Sequence, residues 1–348
     1  MRKLSRVLLL LAGLALAAYL VQKIGPARIW PQVRSLDWAL ALYLLVTVTV
    51  YVLDTWAWLL SLGYDNARVT LGRLFAVKMA GESVNMITPL GGMGGEPVKV
   101  YLLSRTGAAL TDAAASVAIA KTTMTLGQIA FIVCGVLAAL HSLPQPSPLI
   151  WGFAAFPGTI LAMILAAAAV TSGVAPRAWQ LGVVARLAGV GSLRPALEGL
   201  ARLWSQVAFY YARHPRAFAY SFAMYFLGWV IGAGELLIAT RALGQPLSWE
   251  AAFAFEALIV SVTMATFFIP SNVGSQEGGF VAMAPWFGLD PVVGMTLAVV
   301  RRFRQLVWLG VGLFCLLVLE GRVIFEPPEP ATARTRGGVA SPRRSDRA

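Results

Sequence analysis

A chain of 348 residues that is 58% hydrophobic and 13% charged, with a mean hydropathy of +0.72, is too apolar for a water-soluble domain of its size. Its formal net charge of +12 does not indicate nucleic acid as a partner, because the basic residues gather between and after apolar runs, as membrane topology requires. The runs are continuous and not alternating, which excludes a transmembrane barrel and leaves helices.

Full spans are predicted near residues 4 to 22, 38 to 62, 113 to 140, 148 to 172, 217 to 241 and 297 to 320, since about 20 apolar residues cross roughly 30 Å of hydrocarbon as helix. The first follows Arg2, Lys3 and Arg6, and "ALAAY" resembles a cleavage site, so a removable signal peptide is the alternative to an anchor. In either case the second span starts outside. Between the second and third spans lies "GESVNMITPLGGMGGEPVK" (81–99), with two carboxylates, an amide, two prolines and five glycines where the chain would otherwise be apolar. Beyond the third span, "HSLPQPSP" (141–148) carries no Lys or Arg and reads as external.

The loop at 173–216 holds Arg177, Arg186, Arg194, Arg202, Arg213 and Arg216 and reads as cytoplasmic, as does the segment after the last span, with Arg322, Arg334, Arg336, Arg343, Arg344 and Arg347. Within the loop, Leu193, Leu197, Leu200, Trp204, Val207 and Tyr211 form one apolar helical stripe. It is expected on the cytoplasmic membrane face or on the embedded bundle, with a partner helix as the lesser option. The tail 326–348, rich in Pro, Arg and Ser, is expected to be disordered. Cys134 and Cys315 fall in apolar spans and are expected to be packed free thiols. Trp30, Trp38 and Trp249 sit near expected interfaces, where belt anchoring is the default.

Shifting the chain over itself by 181 residues pairs "ITPLGGMGGE" (87–96) with "FIPSNVGSQE" (268–277). Pro89 then meets Pro270, Glu96 meets Glu277, Asp54 meets Glu235, Gly63 meets Gly244, Gly107 meets Gly288 and Lys121 meets Arg302. The match rests on these rare polar and glycine positions, and it implies an internal duplication. If residues 73–105 dip in from the cytoplasm and 250–288 from outside, only Lys23, Arg28, Arg34 and Arg241 remain external, and both termini are cytoplasmic. The expected fold is therefore an all-α polytopic membrane protein of about six full spans plus two re-entrant helical hairpins, arranged as an inverted internal repeat. One membrane domain covers 1–325, with repeats at about 38–140 and 217–320.

Paired interrupted segments in inverted halves point to a transporter with its site near the midplane. Irregular backbone is tolerated at that depth only where protein buries it or a wet cavity receives it. Asp54, Glu82, Glu96, Lys121, Glu235, Glu256, Glu277, Arg301, Arg302 and Arg304 lie in or beside the embedded elements, where a lone charge costs about 2.5 to 3.5 kcal/mol. One reading makes Lys121 and Arg302 structural partners of Glu96 and Glu277. The other lets these carboxylates exchange partners, or a proton, as a lipid headgroup enters, with Arg301, Arg302 and Arg304 as phosphate ligands. Arg304 and Gln305 facing external headgroups is a further alternative. Asp54 and Glu235 are expected to cap or snorkel near helix ends. Asn85 and Thr88 would bond either a headgroup or broken backbone.

No P-loop, G-x-S-x-G elbow or His/Cys zinc set is present, and the only histidines, His141 and His214, lie in loops. No cofactor is called for, and the chain is expected not to be an enzyme. At "GESVNMITPLGGMGGEPVKVYLL" and "FFIPSNVGSQEGGF" followed by "VVRRFRQ", the sequence resembles the flippase-like membrane domain family, named for the transmembrane region of lysylphosphatidylglycerol synthases and including hopanoid-associated membrane proteins of bacteria. The resemblance implies a bacterial inner-membrane protein that moves a lipid between leaflets, with paired re-entrant elements. The positions that match are Glu82, Asn85, Pro89, Gly95 and Glu96, then Pro270, Gly274, Gln276, Glu277 and Gly278, with Arg301 and Arg302. The synthases carry a soluble aminoacyl-transferring domain after the membrane region, whereas here a short basic tail follows, so lysyl transfer is not expected. Membrane lipids are the expected partners, an anionic phospholipid or a hopanoid-type lipid as cargo, with a lipid-synthesis enzyme or a second copy of the chain as further partners; the alternative function is that of a membrane-embedded subunit or scaffold of a lipid-modifying enzyme.

Overall fold

In the computed structural model of the protein, which describes residues 15, 18–62, 69–88, 93–142, 158 and 209–325, all regular structure among the described residues is helical. A short amphipathic helix α1 (Pro26–Ser35) leads into α2 (Asp37–Leu60). Then come α3 (Leu71–Ile87), α4 (Glu96–Ser104), α5 (Leu110–Ser142), α6 (Pro215–Ala242), α7 (Trp249–Ala265), α8 (Ser275–Met283) and α9 (Pro291–Phe325). Single 3-10 turns at Pro270–Asn272 and Ala284–Phe287 flank α8.

Local chemistry sets these boundaries. Thr70 Oγ1 accepts from Arg73 N at 3.3 Å to open α3, and Ser248 Oγ accepts from Ala251 N at 3.1 Å to open α7. Pro215 and Pro291 start the helices that follow loops, where proline gives up no intrahelical hydrogen bond. Among the described residues, four helices carry a stretch long and apolar enough to cross a membrane: Asp37–Leu60, Leu110–His141, Pro215–Ala242 and Pro291–Gly321. They coincide with the predicted spans at 38–62, 113–140, 217–241 and 297–320. The predicted spans at 4–22 and 148–172, most of the 173–216 loop and the tail 326–348 lie largely or wholly outside the described residues.

The helix order has a period. Helices of 24, 17, 9 and 33 residues (α2 to α5) are followed by helices of 28, 17, 9 and 35 residues (α6 to α9). Packing crosses between the two sets: α2 lies along α6, α3 lies along α9 and α7 lies along α5. At roughly 1.5 Å per residue, α3 and α7 each extend about 25 Å before they break. The chain then resumes in a nine-residue helix.

Crossed helices approach closely where side chains are absent. A Cβ on Gly312 of α9 would fall on the Met79 carbonyl of α3 and 2.7 Å from the Ser83 side chain, and a Cβ on Gly135 of α5 would fall on the Ala257 Cβ of α7. Phe131, Phe255 and Phe280 are fully buried beside the second contact, with the Phe255 and Phe280 rings edge to face at 5.6 Å. Trp30, Trp38 and Trp249 are exposed on the outside, where a membrane interface would meet them. Cys315 is half-buried, but Cys134 is exposed, so it is not the packed thiol expected: its place on α5 turns away from the partner helices. Of the amphipathic stripe, Tyr211 is described, and its hydroxyl meets Thr123 Oγ1 of α5 at 3.1 Å, on the bundle.

Gly312→Val should overpack the α3–α9 seam and cost about 1 to 3 kcal/mol, whereas Gly321→Ala, which meets nothing within 4 Å, should be silent. Thermal unfolding of both variants in detergent reads the difference, and equal midpoints would refute the close approach.

Candidate functional site

The first break ends α3 and begins α4. Thr88 leaves the helix in an extended conformation, its hydroxyl returning to the Val84 carbonyl at 2.7 Å. Gly95 N then donates to Asn85 Oδ1 at 2.6 Å, which ties the start of α4 back to α3. Gly95 must be glycine here, because a Cβ would fall on the Gly81 carbonyl. Gly81 in turn makes room for the stem of Lys99. Lys99, buried, donates to Glu82 at 2.7 Å and to Glu96 at 3.2 Å, and Lys121 from α5 approaches Glu96 at 3.4 Å. The result is a row in which acid and base alternate.

The second break is built differently. Ser271 and Asn272 hold φ of +51° and +49°, a left-handed conformation unusual for residues other than glycine. Arg302 of α9 spans the turn: its guanidinium donates to the Ser271 and Asn272 carbonyls at 2.7 and 3.0 Å and to both oxygens of Glu277 at 2.5 and 3.2 Å. Glu277 Oε2 also accepts from Gly274 N at 2.8 Å, capping α8. Ser271 Oγ donates to the Met86 carbonyl at 2.8 Å, so the two breaks touch.

Three further pairs stand around these breaks. Arg301 and Glu256 form a buried bidentate pair at 2.9 and 2.5 Å. Arg304 pairs with Glu235, which also accepts from Thr47 Oγ1 at 2.7 Å. Lys78 pairs with Asp54 at 2.6 Å. Among the described residues the ion pairs thus join six carboxylates, Asp54, Glu82, Glu96, Glu235, Glu256 and Glu277, to six cations, Lys78, Lys99, Lys121, Arg301, Arg302 and Arg304. The cluster is formally neutral.

The charges surround open space. A cavity of about 310 Å³ is walled by α2, α3, α5, α6, α7, α8 and α9, with Asp54, Lys78, Glu82, Glu235, Glu256, Arg301 and Arg304 on its surface. A second cavity of about 380 Å³ adjoins it along Thr263, Asn272 and Gln305 and reaches Asn85, Thr88, Lys121 and Pro270. A narrow space of about 30 Å³ continues to Glu96, Lys99 and Tyr225.

The structure therefore brings together Glu82, Asn85, Gly95, Glu96, Lys121, Pro270, Gln276, Glu277, Arg301, Arg302 and Arg304 from the sequence-predicted set. Pro89 lies outside the described residues, and a Cβ on Gly278 would meet nothing within 4 Å. Glu96 with Lys121 and Glu277 with Arg302 are partners, as the first of the two readings requires. Arg304 does not face external headgroups, because Glu235 holds it at the cavity wall. Asp54 and Glu235 do not cap or snorkel. Glu235 is 1% exposed in mid-bundle, and both acids line the cavity in ion pairs. Sequence reasoning missed Lys78 and Lys99 as partners; the spacing of Lys99, three residues after Glu96 on one helix face, is the signal that marks it.

A bundle of long apolar helices, with two broken helices meeting inside it around a neutral cluster of ion pairs, is a polytopic membrane protein with an embedded polar cleft. Residues 6–313 match the lysylphosphatidylglycerol synthase TM region, and the chain belongs to that family. It is also similar to a UPF0104 membrane protein of Methanothermobacter thermautotrophicus, 23% identical over 318 residues, which covers 87% of this chain and 91% of the relative. No solved structure matches.

Breaking one buried pair leaves its partner uncompensated. Glu256→Met should destabilise the protein by about 3 to 5 kcal/mol, and the double variant Glu256→Met/Arg301→Met by much less. Detergent-solution unfolding of the two measures this, and a single variant as stable as the parent would contradict the pairing.

Proposed function

We propose that the chain is a flippase- or scramblase-like lipid translocase that moves a lipid between leaflets without hydrolysing ATP. The observation that carries this reading is the cavity of about 310 Å³, walled by seven helices and lined with compensated charge, which adjoins the cavity of about 380 Å³ where the two breaks meet. Such a space accepts a polar headgroup at membrane depth while the acyl chains stay in lipid. Family membership and the lipid named in the family's description support a lipid as cargo, either an anionic phospholipid or a hopanoid-type lipid. Every acid on the cavity wall is engaged with a cation, which supports transport in preference to chemistry of the chain's own.

On the same reading, α2 to α5 and α6 to α9 are inverted copies, with α3–α4 and α7–α8 as re-entrant hairpins. The repeated helix lengths, the crossed packing and the matched pairs Glu96–Lys121 and Glu277–Arg302 support this. Arg213 ahead of α6, Arg216 in its first turn and Arg322 near the end of α9 support a cytoplasmic location for those helix ends in a bacterium's inner membrane. In a variant with Cys134 and Cys315 replaced by Ser, a cysteine at Gln245 should react with an impermeant thiol reagent from outside intact cells, and one at Arg105 should not. The opposite labelling pattern would remove the inverted arrangement.

Reconstituted into liposomes, the protein should exchange a labelled lipid between leaflets, and the folded Glu96→Gln/Glu277→Gln double variant should lose at least about tenfold of that rate. Undiminished exchange by the variant takes these acids out of the mechanism. Absence of exchange for every phospholipid and hopanoid-like lipid tried, with and without an ion gradient, overturns translocation.

A further inference from the structure

The proton inventory of the cavity wall is one-sided. Three buried side-chain polar atoms lack a partner among the described residues, and all three are donors: Gln276 Nε2, Arg301 Nε and Trp308 Nε1. Gln276 and Arg301 are 3% and 5% exposed and both line the 310 Å³ cavity. The Gln276 amide is not free to turn over. Arg302, which can only donate, gives a hydrogen bond to Gln305 Oε1 at 2.9 Å; Gln305 Nε2 then donates to Gln276 Oε1 at 3.1 Å, leaving Gln276 Nε2 as the donor without a partner. On Arg301 each terminal nitrogen gives one hydrogen bond to Glu256, and Nε is the nitrogen with no partner. Buried donors without acceptors call for an acceptor-rich group, and a phosphodiester supplies two anionic oxygens.

Charge limits what can bring that group in. The surrounding pairs already cancel, so a headgroup with net charge would sit uncompensated in a low-dielectric site, whereas one that carries its own counter-charge would not. The carboxylates of Asp54 and Glu82, contributed to the wall by α2 and α3, each retain acceptor capacity for an ammonium beyond their lysine partner. Gly232 of α6 leaves space there: a Cβ on it meets nothing within 4 Å, and the residue lines the cavity.

We propose that the central cavity binds a zwitterionic headgroup, its phosphodiester on Arg301 and Gln276 and its ammonium on the Asp54 and Glu82 side. This rests on the translocase reading for its biological meaning but is tested as binding. It selects a net-neutral headgroup over the anionic phospholipid considered above.

The full-length protein in detergent is titrated calorimetrically with glycerophosphoethanolamine, glycerophosphoglycerol, inorganic phosphate and ethanolamine. The zwitterion should bind at least about tenfold more tightly than any of the others. Gly232→Leu, which adds a side chain to the cavity from a position where a Cβ meets nothing within 4 Å, should abolish that binding with an unchanged melting temperature, and Gln276→Leu should weaken it several-fold. Equal or tighter binding of the anion or the cation, no binding of the zwitterion, or zwitterion binding that survives Gly232→Leu would each overturn the inference. Leaflet exchange of labelled phosphatidylethanolamine and phosphatidylglycerol separates the two proposals. Preferential exchange of the anionic lipid sinks the zwitterion site and leaves translocation standing, while zwitterion binding without exchange of either lipid supports the site and removes translocation of phospholipids.

Discussion

Charge taken to membrane depth has to be cancelled where it stands, and the interior of this protein is arranged around that constraint. Hydrocarbon does not screen a carboxylate, and each of these acids is held by a cation from another element: Asp54 of α2 by Lys78 of α3, Glu235 of α6 by Arg304 of α9, Glu256 of α7 by Arg301 of α9. These pairs fix which helix lies beside which and in what rotation. The apolar surface of a membrane helix says little about its neighbour, because lipid satisfies it as well as protein does. Register in this bundle is therefore carried by ion pairs together with glycine contacts such as Gly312 on Met79.

The broken segments depend on the same constraint. Ending α3 and α7 inside the bundle frees backbone groups that nothing in hydrocarbon would satisfy. At the first break a side chain, Asn85, reaches the Gly95 amide; at the second, one guanidinium gathers two carbonyls and the carboxylate that caps the next helix. Arg302 is therefore both counter-ion and splint. A lysine there would keep the charge but offer a single nitrogen, which cannot bridge the Ser271 and Asn272 carbonyls and chelate Glu277 in one plane.

Much of this was legible in the sequence, and the part that was not has a physical cause. Glu96, Glu277, Lys121 and Arg302 stood out because a shift of 181 residues aligned them, and their pairing follows from their scarcity in apolar surroundings. The four described spans were readable because hydrophobic length is a one-dimensional property. Depth is not. Asp54 and Glu235 lie nearer in sequence to the ends of their helices than to the breaks, yet Glu235 is sealed inside, since neighbouring helices and not its own helix determine what it meets. Lys78 and Lys99 escaped notice because lysines flanking apolar runs usually mark topology, and only the fold turns them inward. The Glu256–Arg301 pair joins residues 45 apart, and no local pattern announces it.

The two halves answer one requirement with different chemistry, and the difference sets where a headgroup would first disturb them. Around Glu277 every strong donor of Arg302 is committed, and its planar fork leaves no freedom to share. Around Glu96 the cations are lysines on flexible stems. Lys121 is 32% exposed, stands 3.4 Å from its acid, and borders both the 380 Å³ cavity and the narrow space that leads to Lys99. An ammonium with three donors and one long contact can take a phosphate oxygen at little cost, because Lys99 remains to hold Glu96. Partner exchange is thus easiest in the first half, while the second half, pinned by Arg302, keeps the wall shared by the two large cavities in place.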